Sequence, residues 1–304
     1  MPKPILVCSL LLLALASACQ RGEPRVAEKD IVHVVATTTM LADLCQQLGG
    51  SSVEVHSIMS PGGDPHLYTP TPSDAQAVAE AHVVVTSGLG LEGWIDDLVA
   101  NGEPPLVASA DLTPIRHADF PGGVDPHFWF DLERWGQAAQ TVGTGLAEYV
   151  DTDAERAALE ERTAAYVARI EALHAWTSAQ LATIPEGARK LVTSHDAFNY
   201  LGEAYALEVS GLQGLTTEQQ PSQREIADTI DMIREEGVPT VFVETSVNPT
   251  LIQRVATEAE VATAGPLFSD SLGPDGSGAE TFEGMFVANV RMIVEGLGGT
   301  FTAP

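Results

Sequence analysis

Cysteine and basic side chains are both scarce in this chain. Three of its 304 residues are cysteine, and Lys plus Arg number 15 against 42 Asp plus Glu. Cys8 and Cys19 fall in the N-terminal leader described below, so the body of the chain keeps Cys45 alone. A single thiol excludes an intrachain disulfide there, and it excludes a zinc site built on cysteine. Cys45 lies in Thr39–Leu48, a stretch of helical apolar spacing, and is expected to be a small core residue. The formal charge of −27 argues against binding nucleic acid or an anionic membrane surface, because both demand clustered Lys and Arg. It suits a protein that attracts cations, and equally one that only needs a soluble surface. The apolar stretch Ile5–Ala16 is too short for an ordinary membrane span. What is plentiful is core material: 44% hydrophobic residues over a length that suits one large or two ordinary domains.

Met1–Cys19 has the form of a secretory signal, with Lys3 as its positive start and Ile5–Ala16 as its apolar stretch. Leu15-Ala16-Ser17-Ala18-Cys19 resembles a bacterial lipobox, with Ala16 where leucine is commonest. That resemblance implies export, lipidation of Cys19 and attachment to the membrane through a lipid anchor. Residues 20–30 read as a polar, flexible tether.

From Ile31 onward, short β-branched runs alternate with helical patterns. Ile31–Thr37, Val53–Met59, His82–Thr86 and Leu106–Ala108 read as strands, separated by helices at Thr39–Leu48, Asp74–Ala81 and Gly93–Ala100. Pro70 and Pro72 are expected to delay the second of these helices until after Ser73. A helix over Leu132–Val150 is followed by a pattern that starts at the capped run Asp151–Glu155 and continues to about Thr183. At 1.5 Å per residue it spans roughly 45–50 Å, more than one small domain needs. The alternation then restarts with strands at Lys190–Ser194, Leu207–Leu212, Thr240–Glu244 and Ala262–Ala264. The fold expected is α/β: two (βα)-type lobes with mostly parallel sheets, joined by one long rigid α-helix. The divisions are a leader at 1–19, a tether at 20–30, an N-terminal lobe at 31–150, a spine helix at 151–184 and a C-terminal lobe at 185–304. In such sheets ligands bind beyond the carboxyl ends of the strands.

Two loops share an unusual device. Ser60-Pro61-Gly62-Gly63-Asp64-Pro65-His66 sets an imidazole in a stiff loop, and Gly122-Gly123-Val124-Asp125-Pro126-His127 repeats it 61 residues on. Turn chemistry alone explains a repeated Asp-Pro-His poorly, and the reading is that both histidines face one metal ion. His195, at a strand end in Ser194-His195-Asp196, reads as ligand or core histidine alike. Asp270, in Leu267-Phe268-Ser269-Asp270-Ser271-Leu272, could equally be a turn or helix cap. Three imidazoles and a carboxylate form a recognised set for a borderline divalent ion. His33, His56, His82, His117 and His174 lie in strands, a linker or the spine, and read as structural.

Taken together, several segments resemble the zinc/manganese-type metal-binding lipoproteins of bacterial ABC importers, solute-binding protein family 9 (cluster A-I). The resemblance covers nearly the whole mature chain. It is carried by Gly63–Asp74, Gly88-Leu89-Gly90-Leu91-Glu92-Gly93-Trp94, Asp125–Asp131, Thr193–Phe198, Val243–Pro249 and Leu267–Gly273. It implies metal ligands at His66, His127, His195 and Asp270, two lobes bridged by a rigid helix with the ion between them, and delivery to a membrane permease. The long His-rich loop of many zinc members is missing, since the segment between Ile115 and Val124 holds only His117. Leu132 stands where a proline is usual. Manganese-type members often carry glutamate at the third ligand position, where this chain has His195, yet Glu244–Pro249 and Gly273–Met285 look closer to the manganese branch. The cargo expected is Zn²⁺ or Mn²⁺.

The function expected is therefore capture by a monomer, not catalysis. Because ligating histidines must be deprotonated, binding is expected to weaken as pH falls through about 6. Asp131 and Glu244 are candidates to orient a ligand imidazole from behind. The alternatives are an exported zinc-dependent hydrolase and a surface adhesin. A hydrolase needs an open coordination position and a general base, and no His-Glu-x-x-His occurs.

Overall fold

The β-branched runs form strands wherever both of their faces find cover. The computed structural model describes residues 31–100, 102–116 and 123–304. The leader, the tether, Cys19 and His117 lie outside the described residues. Val32–Ala36 (β1), Thr39–Gly49 (α1), Val53–Ser57 (β2), Pro72–Glu80 (α2), Val83–Thr86 (β3), Ile95–Val99 (α3) and Leu106–Val107 (β4) build a first sheet of order β2-β1-β3-β4. Leu132–Leu146 (α4) and Asp153–Leu181 (α5) follow. Lys190–His195 (β5), Asn199–Tyr205 (α6), Glu208–Gln213 (β6), Gln223–Glu236 (α7), Thr240–Glu244 (β7), Thr250–Ala259 (α8) and Ala262–Leu267 (β8) build a second sheet of order β6-β5-β7-β8, and Phe282–Gly296 (α9) closes the chain. All pairings within the two sheets are parallel, and the second sheet repeats the winding of the first.

Alternation along each strand sorts side chains between two layers. In the first sheet Val34, Ala36, Val83 and Val85 enter the main core, whereas Val35 and Val84 pack with Ile58 and Met59 on the opposite face. In the second, Leu191 and Phe242 enter the main core, and Val192 and Val241 pack against α7 and α8 through Ile230, Ile233 and Ile252. One continuous core thus runs beneath both sheets. Cys45 is buried in it, as expected.

The 29 residues of α5 extend about 43 Å, and the helix is embedded rather than free. Its Leu159, Tyr166, Ile170 and Leu173 are buried. The Tyr166 hydroxyl accepts from Trp135 Nε1 of α4 at 2.8 Å, and Trp135 stacks on Phe282 of α9 with ring centroids 4.2 Å apart. Arg162 donates to the carbonyls of Leu48 and Gly49 at 2.6 and 2.8 Å, supplying partners to the carbonyl end of α1. These contacts tie the spine directly to α1 and α4 of the first lobe and, through Trp135, to α9 of the second.

Among the boundaries that differ from expectation, three have a local physical cause. Helix α2 begins at Pro72, not after Ser73: Thr71 is its N-cap and Asp74 completes a capping box, and proline at the first helical position lacks only a donor that would be unused there. Helix α4 ends at Leu146, not Val150, because Arg156 of α5 takes the carbonyls of Ala147 and Val150. Strand β8 runs to Leu267 through Pro266, which is tolerated because β8 is an edge strand.

Candidate metal centre

Every candidate ligand sits at the carboxyl end of a strand or in the chain that follows one. His66 follows β2, His127 follows β4, His195 closes β5 and Asp270 follows β8. The repeated Asp-Pro-His is more than a device that fixes φ. In both copies the aspartate Oδ1 accepts the backbone N–H of the histidine two residues on, at 2.9 Å: Asp64 for His66 and Asp125 for His127. Such a local turn pins the histidine backbone to its own aspartate. Gly62, with φ +79°, makes the sharp entry into the first loop that a side chain would resist.

The four side chains converge. His66 Nε2 and His127 Nε2 are 3.3 Å apart, and Asp270 Oδ1 lies 3.7 Å from His127 Nε2 and 3.6 Å from His195 Nε2. One donor atom from each residue lies within 4.8 Å of every other. Donors held about 2.1 Å from a central ion at tetrahedral angles stand about 3.4 Å apart, so the spacing fits a small four-coordinate ion. His127, His195 and Asp270 are fully buried, and His66 is partly exposed. Among the described residues, His195 Nε2 and Asp270 Oδ1 are buried polar atoms without a hydrogen-bond partner. Buried orphans of this kind carry a free-energy cost unless something binds them.

Each donor is oriented from behind. Glu244, at the end of β7, accepts the His195 backbone N–H at 2.8 Å and its Nδ1–H at 2.5 Å, leaving Nε2 to point inward. Asp125 accepts the His127 Nδ1–H at 2.8 Å, and its other oxygen accepts from Asn199 at 3.0 Å. The hydroxyls of Ser246 and Ser269 donate to Asp270 Oδ2 at 2.6 and 2.9 Å, so Oδ1 faces the imidazoles. Close approach also matters: a Cβ on Gly211 of β6 would come within 2.4 Å of the Asp196 backbone, immediately after His195. In the first lobe the equivalent strand ends are closed by Glu92, which accepts from Thr37 Oγ1 and from the backbone of Ser87 and Gly88.

Of the two acids singled out in the sequence, Glu244 hydrogen-bonds His195, whereas Asp131 bonds residues of α4. Asp131 caps α4, accepting from the backbone of Glu133 and Arg134 and pairing with the Arg134 guanidinium at 2.6 Å. The group that grips His127 is Asp125, two residues before it. The spacing i, i+2 in both loops was the available signal, since Asx side chains accept from that N–H. Asn199, Ser246 and Ser269 carry no such signal. His33 and His82 stack on each other away from the site, and His174 bonds the Tyr205 hydroxyl.

Electrostatics follow the geometry. Burial depresses His66 to about 3, so its imidazole is neutral. Burial would likewise depress His195, but the carboxylates of Glu244 and Asp270 overcome it and raise His195 well above the ordinary histidine range. Burial would raise Asp270, and the surrounding imidazoles, His195 foremost, hold it well below the ordinary carboxylate range. Replacing Glu244 by Gln keeps the shape and removes the charge. Glu244→Gln is expected to weaken Zn²⁺ binding roughly 10- to 100-fold, measured by competition with a chromophoric chelator, and an unchanged affinity would deny Glu244 that role.

The ZnuA family model, described as zinc-uptake complex component A, periplasmic, matches residues 34–296. The chain belongs to the ZnuA family. It is thereby a substrate-binding component of a transport system and not an enzyme. The manganese-binding lipoprotein MntA of Bacillus subtilis is 35% identical over 276 residues, covering 88% of this chain and 90% of MntA. The metal ABC transporter substrate-binding lipoprotein SsaB of Streptococcus sanguinis is 29% identical over 302 residues, covering 95% and 97%. The structure of the periplasmic zinc-binding protein TroA of Treponema pallidum superposes with a TM-score of 0.83 at 29% identity, covering 88% of this chain and 99% of TroA. The two parallel-sheet lobes are thus the fold of this ZnuA-family chain.

Proposed function

We propose that this chain captures one divalent transition-metal ion, Mn²⁺ or Zn²⁺, outside the cytoplasmic membrane and hands it to the permease of an ABC importer. The ligands are His66, His127, His195 and Asp270. The observation that carries this reading is the tetrahedron-sized approach of four donors, two of them buried without any other partner. MntA is described as manganese-binding, TroA as zinc-binding and SsaB as part of a metal ABC transporter, which supports the same cargo and destination here. Residues 31–150 and 185–304 serve as the two lobes and 151–184 as the spine between them. MntA and SsaB are lipoproteins by description, and this supports lipid on Cys19; residues 20–30 would then serve as its tether, with the chain acting as a monomer at the membrane surface.

Four protein donors complete the coordination sphere, so no open position is left for the activated water of a zinc hydrolase. None of MntA, SsaB and TroA is described as a hydrolase or an adhesin. Three neutral nitrogens and one carboxylate favour Zn²⁺ over Mn²⁺ intrinsically, and manganese loading then depends on supply. The test is titration of metal-free protein with both ions in competition, together with elemental analysis of protein purified without chelators. One ion per chain is expected, with zinc displacing manganese at equal concentrations. Failure to retain either ion stoichiometrically overturns the proposal.

A further inference from the structure

His66 differs from the other three donors in how it is held. His127, His195 and Asp270 are each gripped through the side chain by groups buried around them, whereas the bonds that set the His66 loop run through its backbone. That loop touches its own lobe through Trp94 Nε1, which donates to the Pro65 carbonyl at 2.9 Å. It reaches the second lobe at two points. Gly62 N–H donates to Ser271 Oγ at 2.7 Å, and Asp64 Oδ2 accepts from Thr217 Oγ1 at 2.5 Å. Asp64 is therefore a two-sided link: one oxygen holds the His66 backbone, the other holds a residue 153 positions away. Thr217 is buried within the segment between β6 and α7, which has no regular secondary structure and whose next residues, Glu218 to Gln220, are exposed.

Beside this link lies a cavity of about 530 Å³, whose walls include Asp64, Leu67, Ser194, Gln213, Thr217 and Ser246. Gln213 is the register partner of His195, and Ser246 bonds Asp270, so the cavity reaches behind two other ligands. Leu67, next to His66, is 54% exposed. The side of the ion cage formed by His66 is thus the one adjoining both solvent and open volume.

Resting on the capture reading above, we propose that Thr217 is a positioning residue. Its hydrogen bond to Asp64 latches the β6–α7 segment of the second lobe onto the His66 loop, and breaking it is the step that lets His66 leave the ion. The latch acts through Asp64, without touching the metal, and so it governs how fast the ion departs more than how it arrives. The segment that carries it is accessible from outside at Glu218–Gln220, where a membrane partner could pull Thr217 away.

The test compares Zn²⁺ release from wild type, Thr217→Val, Thr217→Ser, Asp64→Asn and the Thr217→Val/Asp64→Asn double variant, following transfer of the ion to excess chelator, with association rates and metal-free unfolding measured alongside. Thr217→Val removes the hydroxyl and is expected to speed release about tenfold with little change in the association rate. Thr217→Ser keeps the hydroxyl and is expected to behave as wild type. Because both single variants alter the same contact, the double variant is expected to release no faster than the faster single one. Unchanged release in Thr217→Val overturns the latch, and so does a purely additive double variant, since a general structural role would give additive losses. If wild type retains no Zn²⁺ at all, metal capture itself falls and the latch with it.

Discussion

Asp270→Asn is expected to leave the chain folded but unable to retain a divalent ion. The variant keeps nearly the volume of the aspartate and can still accept from the hydroxyls of Ser246 and Ser269. What it loses is the negative charge of the one carboxylate in the donor set, in a site where Asp270, His127 and His195 are fully buried. A buried cation deprived of its compensating charge is destabilised by about 4 kcal/mol, roughly a thousandfold in affinity. Dialysis against metal-free buffer followed by elemental analysis reads the outcome, and circular dichroism checks the fold. Retention within about tenfold of wild type would show that Asp270 is a cap or turn residue after all.

The second large effect is proton competition. In the metal-free protein the Glu244 and Asp270 carboxylates keep His195 protonated well above the usual histidine range. The Nδ1–H stays with Glu244, so the proton an incoming ion must displace is the one on Nε2. His66, depressed to about 3 by burial, is already neutral and contributes no second proton. Below the raised pKa of His195, each unit of falling pH is therefore expected to weaken binding about tenfold on account of His195, whose proton is released as the ion binds. The slope should continue up to the raised pKa of His195, and not begin near 6 as ordinary histidines would have it. Affinities measured across that range give the slope, and calorimetry in buffers of different ionisation enthalpy counts the proton; an affinity independent of pH would contradict the assignment. The sign for stability without metal is separate. A raised histidine stabilises the fold below its unfolded pKa and loses that contribution as pH rises through the folded one, while the depressed Asp270 stabilises above its unfolded pKa and loses it in acid. The two predictions are coupled, because Asp270→Asn removes one of the charges that raise His195 and should flatten the pH dependence.

Local pattern was enough for most of the elements, and the family resemblance was needed to complete the candidate ligand set. β-Branched runs of five or six residues between helical stretches announce buried parallel strands, because only strands covered on both faces are apolar throughout. Capping boxes at Thr71 and Ser222 mark helix starts by chemistry contained within four residues. The repeated Asp-Pro-His singles out His66 and His127, and the family resemblance that includes it adds His195 and Asp270. By itself, then, the sequence determined the strands, the spine, the family and the four side chains that converge. Tertiary structure alone decided who stands behind them. Asp131 and Asp125 are both acids near His127, and backbone direction gives one to the helix cap and the other to the imidazole. Thr217 and Asp64 are 153 residues apart, and no local periodicity links a hydroxyl in one irregular segment to a carboxylate in another. Proton affinities likewise depend on which charges burial brings within a few ångströms, so His66 and His195, the same residue type, are driven in opposite directions.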